Sequence, residues 1–204
     1  MKIVHFSDWH GYMQPLPEAD LYISTGDHYE NYSTGFVIKP HVEYGGQDKW
    51  CADVNFRQYL GSPDSPIVCV RGNHDYINAK DMFKGCNVLG EFMNNELIEY
   101  KGIKITGHRG IPYICGQFSD EYSKADLKDI YRAMPMADIY VTHYPPAGIL
   151  DHGYGLDGLG DFLAYRSLPA VHCFGHIHEC GGLIRREGGI RFSNAACSIN
   201  QFVI

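Results

Sequence analysis

SDWHGYMQPLPEADLYISTGDH, residues 7–28, holds two fragments of one kind: Asp8-Trp9-His10 and Gly26-Asp27-His28. Each closes an apolar, β-branched run, Ile3–Phe6 before the first and Leu21–Thr25 before the second. A single Asp at a strand end is ordinarily a turn residue. Three further runs end the same way. Val68–Arg71 leads into Gly72-Asn73-His74-Asp75, Ile139–Thr142 into His143-Tyr144-Pro145-Pro146, and Val171–Phe174 into Gly175-His176-Ile177-His178. The pattern reads as five strands of one sheet with polar carboxyl ends. In open α/β sheets the ligand crevice lies outside those ends, so five such ends describe one site.

Around these runs the chain reads as short strands over 2–7, 21–25, 66–71, 96–100, 103–107, 138–143 and 170–175, with a late pair at 183–186 and 190–193. Helical spacing of apolar residues appears over 48–60, 121–133 and 157–167. Turns at Lys101-Gly102 and around Arg186–Gly189 add hairpins to the alternating strands and helices. The expectation is a layered α/β sandwich with mixed sheets. Residues 31–47, rich in Tyr, Gly and His, read as a long loop over the site, with Tyr32, Phe36, His41 and Tyr44 able to close it from one side.

A chain of 204 residues suits one domain, here taken as 1–204. A net charge of -7 argues against a surface that tracks long nucleic acid, whose affinity comes from Lys and Arg on phosphates. A small phosphorylated substrate held through metal ions remains compatible with it. The seven cysteines form no C-x-x-C pair, and Cys69 and Cys173 fall inside apolar runs, so free thiols in a reducing compartment are expected. A mixed Cys/His zinc site from Cys173 and Cys180 is the weaker idea, because phosphate chemistry favours N/O ligands. No stretch reads as a signal peptide or membrane span, and the expected location is cytoplasmic.

Asp8 and His10, like His176 and His178, stand two residues apart, a spacing that just beyond a strand can turn both side chains to one metal or to two adjacent ones. Asp27 offers two oxygens and can bridge, Asn73 offers a neutral amide oxygen, and His143 adds an imidazole. Seven N/O ligands are too many for one tetrahedral zinc and suit two metals about 3.5–4 Å apart.

The ordered blocks D-x-H, G-D, G-N-H-[DE], H and G-H-x-H resemble the calcineurin-like metallophosphoesterases. They stand here as Asp8–His10, Gly26-Asp27, Gly72–Asp75, His143 and Gly175–His178. The resemblance implies a four-layer αββα sandwich. It also implies one divalent cation on Asp8, His10, Asp27 and His178, and a second on Asp27, Asn73, His143 and His176. Manganese is the first expectation, with Fe, Zn, Ni or Mg as alternatives. Thr142–Pro146, Gly148–Asp151, Gly175–Glu179 and Ser193–Ala196 are similar to the brain 239-type branch, which is associated with phosphodiester hydrolysis. Tyr144 stands where that branch usually has Gly.

The implied reaction is phosphodiester hydrolysis by a hydroxide bridging the two metals. His74 is the candidate to protonate the leaving oxygen, and Asp75 the candidate to fix its tautomer. His28 and Tyr144 are candidate substrate contacts, Tyr144 by narrowing the mouth. His108 and His152 read as loop residues, and His5, His41 and His172 as structural. The expected substrate is nucleotide-sized, with no membrane and no long duplex DNA as partners. A phosphomonoesterase, a nuclease of the same fold and a non-enzymatic scaffold are the alternatives. An amidohydrolase barrel is disfavoured by length, and a metallo-β-lactamase-like hydrolase by the absence of H-x-H-x-D-H.

Overall fold

Lys2–Ser7 forms β1, and Leu21–Ser24 and Ile67–Cys69 follow as β2 and β3, all in a computed structural model that describes residues 1–33, 37–159 and 171–204. These three strands are fully or almost fully buried, which is why they read as continuous apolar runs rather than alternating ones. They lie parallel in a five-stranded sheet that continues into β4 (Val88–Glu91). The last strand of the chain, Ser198–Val203, pairs antiparallel with β1 and closes the other edge.

The second sheet has six strands. Its middle is parallel: β6 (Ile103–His108), β9 (Ile139–Thr142), β10 (Val171–Phe174) and β12 (Ile190–Asn194). Its edges are the antiparallel β5 (Leu97–Tyr100) and β11 (Ile184–Glu187), each joined through a turn to its neighbour as the hairpins predict. The short pair β7 (Ile111–Pro112) and β8 (Glu121–Tyr122) stands apart.

Three apolar clusters hold this together. Ile3, Ile23, Val68 and Val70 of the first sheet meet Ile105, Ile139, Val141 and Cys173 of the second, so the sheets pack face to face. Each such buried aliphatic chain contributes roughly 1.5–3 kcal/mol. Phe6, Tyr22 and Cys69 face the other way, onto Phe56, Phe83 and Met82 of the one-turn helix α2 (Ala79–Met82). Tyr140, Phe174 and Phe192 cover the far side of the second sheet, against Leu127 and Tyr131 of α3 (Lys124–Ala133). That helix starts where Ser123 Oγ accepts the Asp126 N–H, an N-cap that fixes its first turn.

Three expectations are corrected. The five polar strand ends belong to two sheets: β1, β2 and β3 in one, β9 and β10 in the other. The segment 31–47 is not one loop, because α1 spans Pro40–Asp53, with Pro at its first turn. The helix expected over 48–60 is therefore the end of α1 followed by a 3₁₀ turn at Phe56–Tyr59. The helix expected over 157–167, and Phe36, fall largely outside the described residues. No helix among the described residues is long and apolar enough to cross a membrane. All seven cysteines are free thiols.

Candidate metal centre

The carboxyl ends of both sheets meet at one place, and the backbone there turns sharply. Asp8, His10, Asp27 and His176 all have positive φ, between 44° and 66°. That region is uncommon for residues with a Cβ, though Asp and His tolerate it better than most. The glycines of the motifs explain the tight turns. A Cβ on Gly175 would collide with the Asp8 carboxylate, and a Cβ on Gly72 with that of Asp27. Gly26, at φ +101°, has no room for a Cβ beside the Gly72 backbone.

Two groups of ligand atoms result. In the first, Asp27, His143 and His176 have ligand atoms within 4.8 Å of one another. Asn73 Oδ1 joins them, 2.9 Å from His143 Nε2 and 2.8 Å from His176 Nδ1. Asp27 Oδ2 is 3.4 Å from His143 Nε2. His143 Nδ1 sits 2.7 Å from the Thr25 carbonyl, which can only accept, so Nδ1 carries a proton and Nε2 is the nitrogen that faces the group. Four potential ligand atoms therefore cluster at one place. In the second group, Asp8, His10 and His178 likewise bring ligand atoms within 4.8 Å. His178 Nε2 lies 3.4 Å from Asp8 Oδ1, and the His10 ring 5.5 Å from that of His178. His10 Nδ1 is buried with no hydrogen-bond partner among the described residues.

The electrostatics fit cations. Burial opposes the charge on Asp27, yet His143 and His74 hold its carboxyl well below the usual range. Asp8 is likewise lowered against burial, chiefly by His178 and His143. Burial pulls the His143 ring down, but Asp27 and Asp8 outweigh it and raise the ring to about 9. Burial, then the charge of His143, lowers His176 to about 4. Two buried carboxylates that stay ionised among imidazoles form a hard N/O donor set, which divalent cations suit.

His74 lies beside both groups. Its main-chain N–H donates to Asp27 Oδ1 at 2.7 Å, and its ring packs edge-on against His10 at 5.2 Å and Phe118 at 5.1 Å. A cavity of about 300 Å³ opens here, lined by His10, Asp27, Asn73, His74, His176, His178 and Glu179. That is the lower end of the range for small-molecule sites.

Three expected roles are corrected. The Asp75 carboxylate does not meet the His74 ring. It accepts the main-chain N–H groups of Asp27 (2.7 Å), His28 (2.8 Å) and Gly72 (2.8 Å), and so ties the turn after β2 to the turn after β3. His28 is fully buried, its ring bonded to Ser24 Oγ at 2.8 Å and packed near Phe83, outside the lining of the cavity. Tyr144 is not in the lining of this cavity; it packs 4.6 Å from the His176 ring, its hydroxyl donates to the Tyr154 carbonyl, and it lines a separate cavity of about 540 Å³. Sequence reasoning missed Glu179, Phe118 and Gln47, whose Nε2 donates to the His74 carbonyl. Only Glu179 carried a signal, its place directly after the last imidazole block.

The chain is similar to several known proteins. The chain is 29% identical over 214 residues to UPF0046 protein K07C11.7 of Caenorhabditis elegans, covering 96% of this chain and 69% of that one. It is 24% identical over 226 residues to human metallophosphoesterase domain-containing protein 1, covering 98% of this chain and 67% of the relative. A solved structure described as a hypothetical protein from Thermus thermophilus aligns over 95% of this chain and 75% of that one, at 14% identity and a TM-score of 0.41. The family model for calcineurin-like phosphoesterases matches residues 1–180, and the chain belongs to that family.

Proposed function

We propose that the chain hydrolyses small, nucleotide-like phosphodiesters with two divalent cations, manganese foremost. Family membership and the two ligand groups support a metal-dependent phosphoesterase. In this reading Asp8, His10, Asp27 and His178 hold one cation, and Asp27, Asn73, His143 and His176 the other. When bound, the cations supply Lewis acidity, neutralising phosphoryl charge and acidifying water near neutral pH.

The protein's own residues do the rest. The Thr25 carbonyl holds the His143 Nδ1–H, so Nε2 is the nitrogen that turns to a cation, giving up its proton as the cation binds. Asp75 holds the two turns that carry Asp27 and Asn73 in register. The His74 ring stands at the cavity with no hydrogen-bond partner among the described residues, free to give a proton to the leaving oxygen.

The observation that carries this reading is the convergence of two N/O ligand groups on one cavity. The choice of diester rests on charge. Among the described residues no Lys or Arg lines the cavity and Glu179 adds a carboxylate, which disfavours a dianionic monoester more than a monoanionic diester. The chain's net charge of -7 disfavours duplex DNA. A panel of cyclic nucleotides, aryl and alkyl diesters, monoesters and duplex DNA, assayed with Mn²⁺, tests it. Small diesters should show the highest kcat/KM. Dominant monoester or duplex cleavage, or no turnover at all, contradicts the proposal.

A further inference from the structure

Helix α1 buries an unusual face. The residues it hides are Glu43 and Gln47, one turn apart, rather than an apolar stripe. Glu43 accepts the N–H groups of Tyr32 at 2.9 Å and Ser33 at 2.6 Å. Gln47 is fully buried, and its amide brackets a single residue. Nε2 donates to the His74 carbonyl at 2.6 Å, and Oε1 accepts the Tyr76 N–H at 2.7 Å. The two main-chain partners fix which end of the amide is which. A buried amide is costly unless both ends are bonded, and here both are.

The His74 ring, by contrast, has no hydrogen bond among the described residues. Its place is set by its own backbone and by the rings of His10 and Phe118. That backbone is pinned by Asp27 at the N–H and by Gln47 on the other side. We propose that Gln47 is a positioning residue, whose double bond to the His74–Tyr76 backbone aims the His74 imidazole at the leaving oxygen. The proposal rests on the reading of His74 as the group that protonates that oxygen. Proton transfer in a transition state depends steeply on placement, and an error of about 1 Å can cost roughly 10²-fold.

The test is a double-mutant cycle in Mn²⁺ on two diesters, one with a nitrophenolate leaving group and one with an alkoxide. Gln47→Met removes both hydrogen bonds at similar volume. It should lower kcat on the alkyl ester by about 10–100-fold, with KM and metal content nearly unchanged. On the nitrophenyl ester, which leaves without a proton, the loss should be about threefold or less. In a His74→Ala background, Gln47→Met should add almost nothing on either ester. Equal losses on both esters, or full additivity with His74→Ala, overturns the proposal. Gln47→Glu keeps the bond to the Tyr76 N–H and loses the one to the His74 carbonyl. It should give an intermediate loss, and it decides the question by the same cycle if Gln47→Met does not fold. If His74→Ala alone fails to lower kcat on the alkyl ester, the reading of His74 itself is what has failed.

Discussion

Gly175→Ala isolates the steric fit on which one metal group depends. Gly175 has no left-handed φ, so alanine suits its backbone, and the whole effect comes from the added methyl. That methyl would overlap Asp8 Oδ2 and Ser7 Oγ, with Ser7 Cβ 2.9 Å away. The Asp8 carboxylate, bonded to the His176 N–H at 3.0 Å, would have to retreat by roughly 1 Å to reach ordinary contact. Overpacking of this kind costs about 1–3 kcal/mol, which as lost affinity is roughly 5–150-fold. Ligand distances in metal sites vary by only about 0.2 Å, so the retreat falls on the Asp8, His10, His178 group. Titrating metal-free protein with Mn²⁺ and following both binding and diester turnover should show one weakened binding step and one nearly normal. Gly45→Ala is the control: its Cβ meets nothing within 4 Å, and in helix α1 it should raise stability by about 0.5–1 kcal/mol with binding untouched. Unchanged Mn²⁺ affinity in folded Gly175→Ala would refute the reasoning.

Asp75→Ala strands three buried N–H donors, and at about 1–3 kcal/mol each it should lower stability by about 3 kcal/mol or more in a denaturant melt. A variant of unchanged stability with low kcat would return Asp75 to a chemical role. Acid should destabilise the fold through buried imidazoles that are not among the candidate metal ligands. Burial lowers His5 and His172 to about 3 and His108 to about 4, against 6.5 when exposed. Between those values the unfolded chain binds more protons. The stability these rings contribute is thus complete above about 6.5 and lost as pH falls, by up to about 1.4 kcal/mol per pH unit per ring. His108 shows why: its Nδ1 accepts the Gly110 N–H, which a protonated ring cannot do. His108→Gln should flatten the slope of stability between pH 6.5 and about 4; an unchanged slope contradicts this.

Most of the strands that carry the site were legible because each is a buried run ended by Gly, Asp, Asn or His. Runs of this kind cannot say which sheet they join, so β1 to β3 and β9 to β10 looked like one sheet. The closing strand Ser198–Val203 was hidden by its polar alternation on an edge, and β4 by the glycine inside it. Helix α1 escaped because its buried residues are Glu43 and Gln47, leaving no apolar period to read. Side-chain direction decided the remaining errors. His28 and Asp75 sit inside the right motifs, but the ring of one turns into the core and the carboxylate of the other is filled by backbone N–H groups. Proximity in sequence to a metal ligand does not fix which way a side chain points.

The proposed centre holds two cations, and a metal count is its plainest test. Equilibrium dialysis of the purified chain against saturating Mn²⁺, followed by elemental analysis, should find two ions per chain, with phosphodiester turnover rising as the second is bound. In Asp27→Ala, a folded chain should retain little metal and no activity. One ion per chain at saturation, with full activity, would contradict the account.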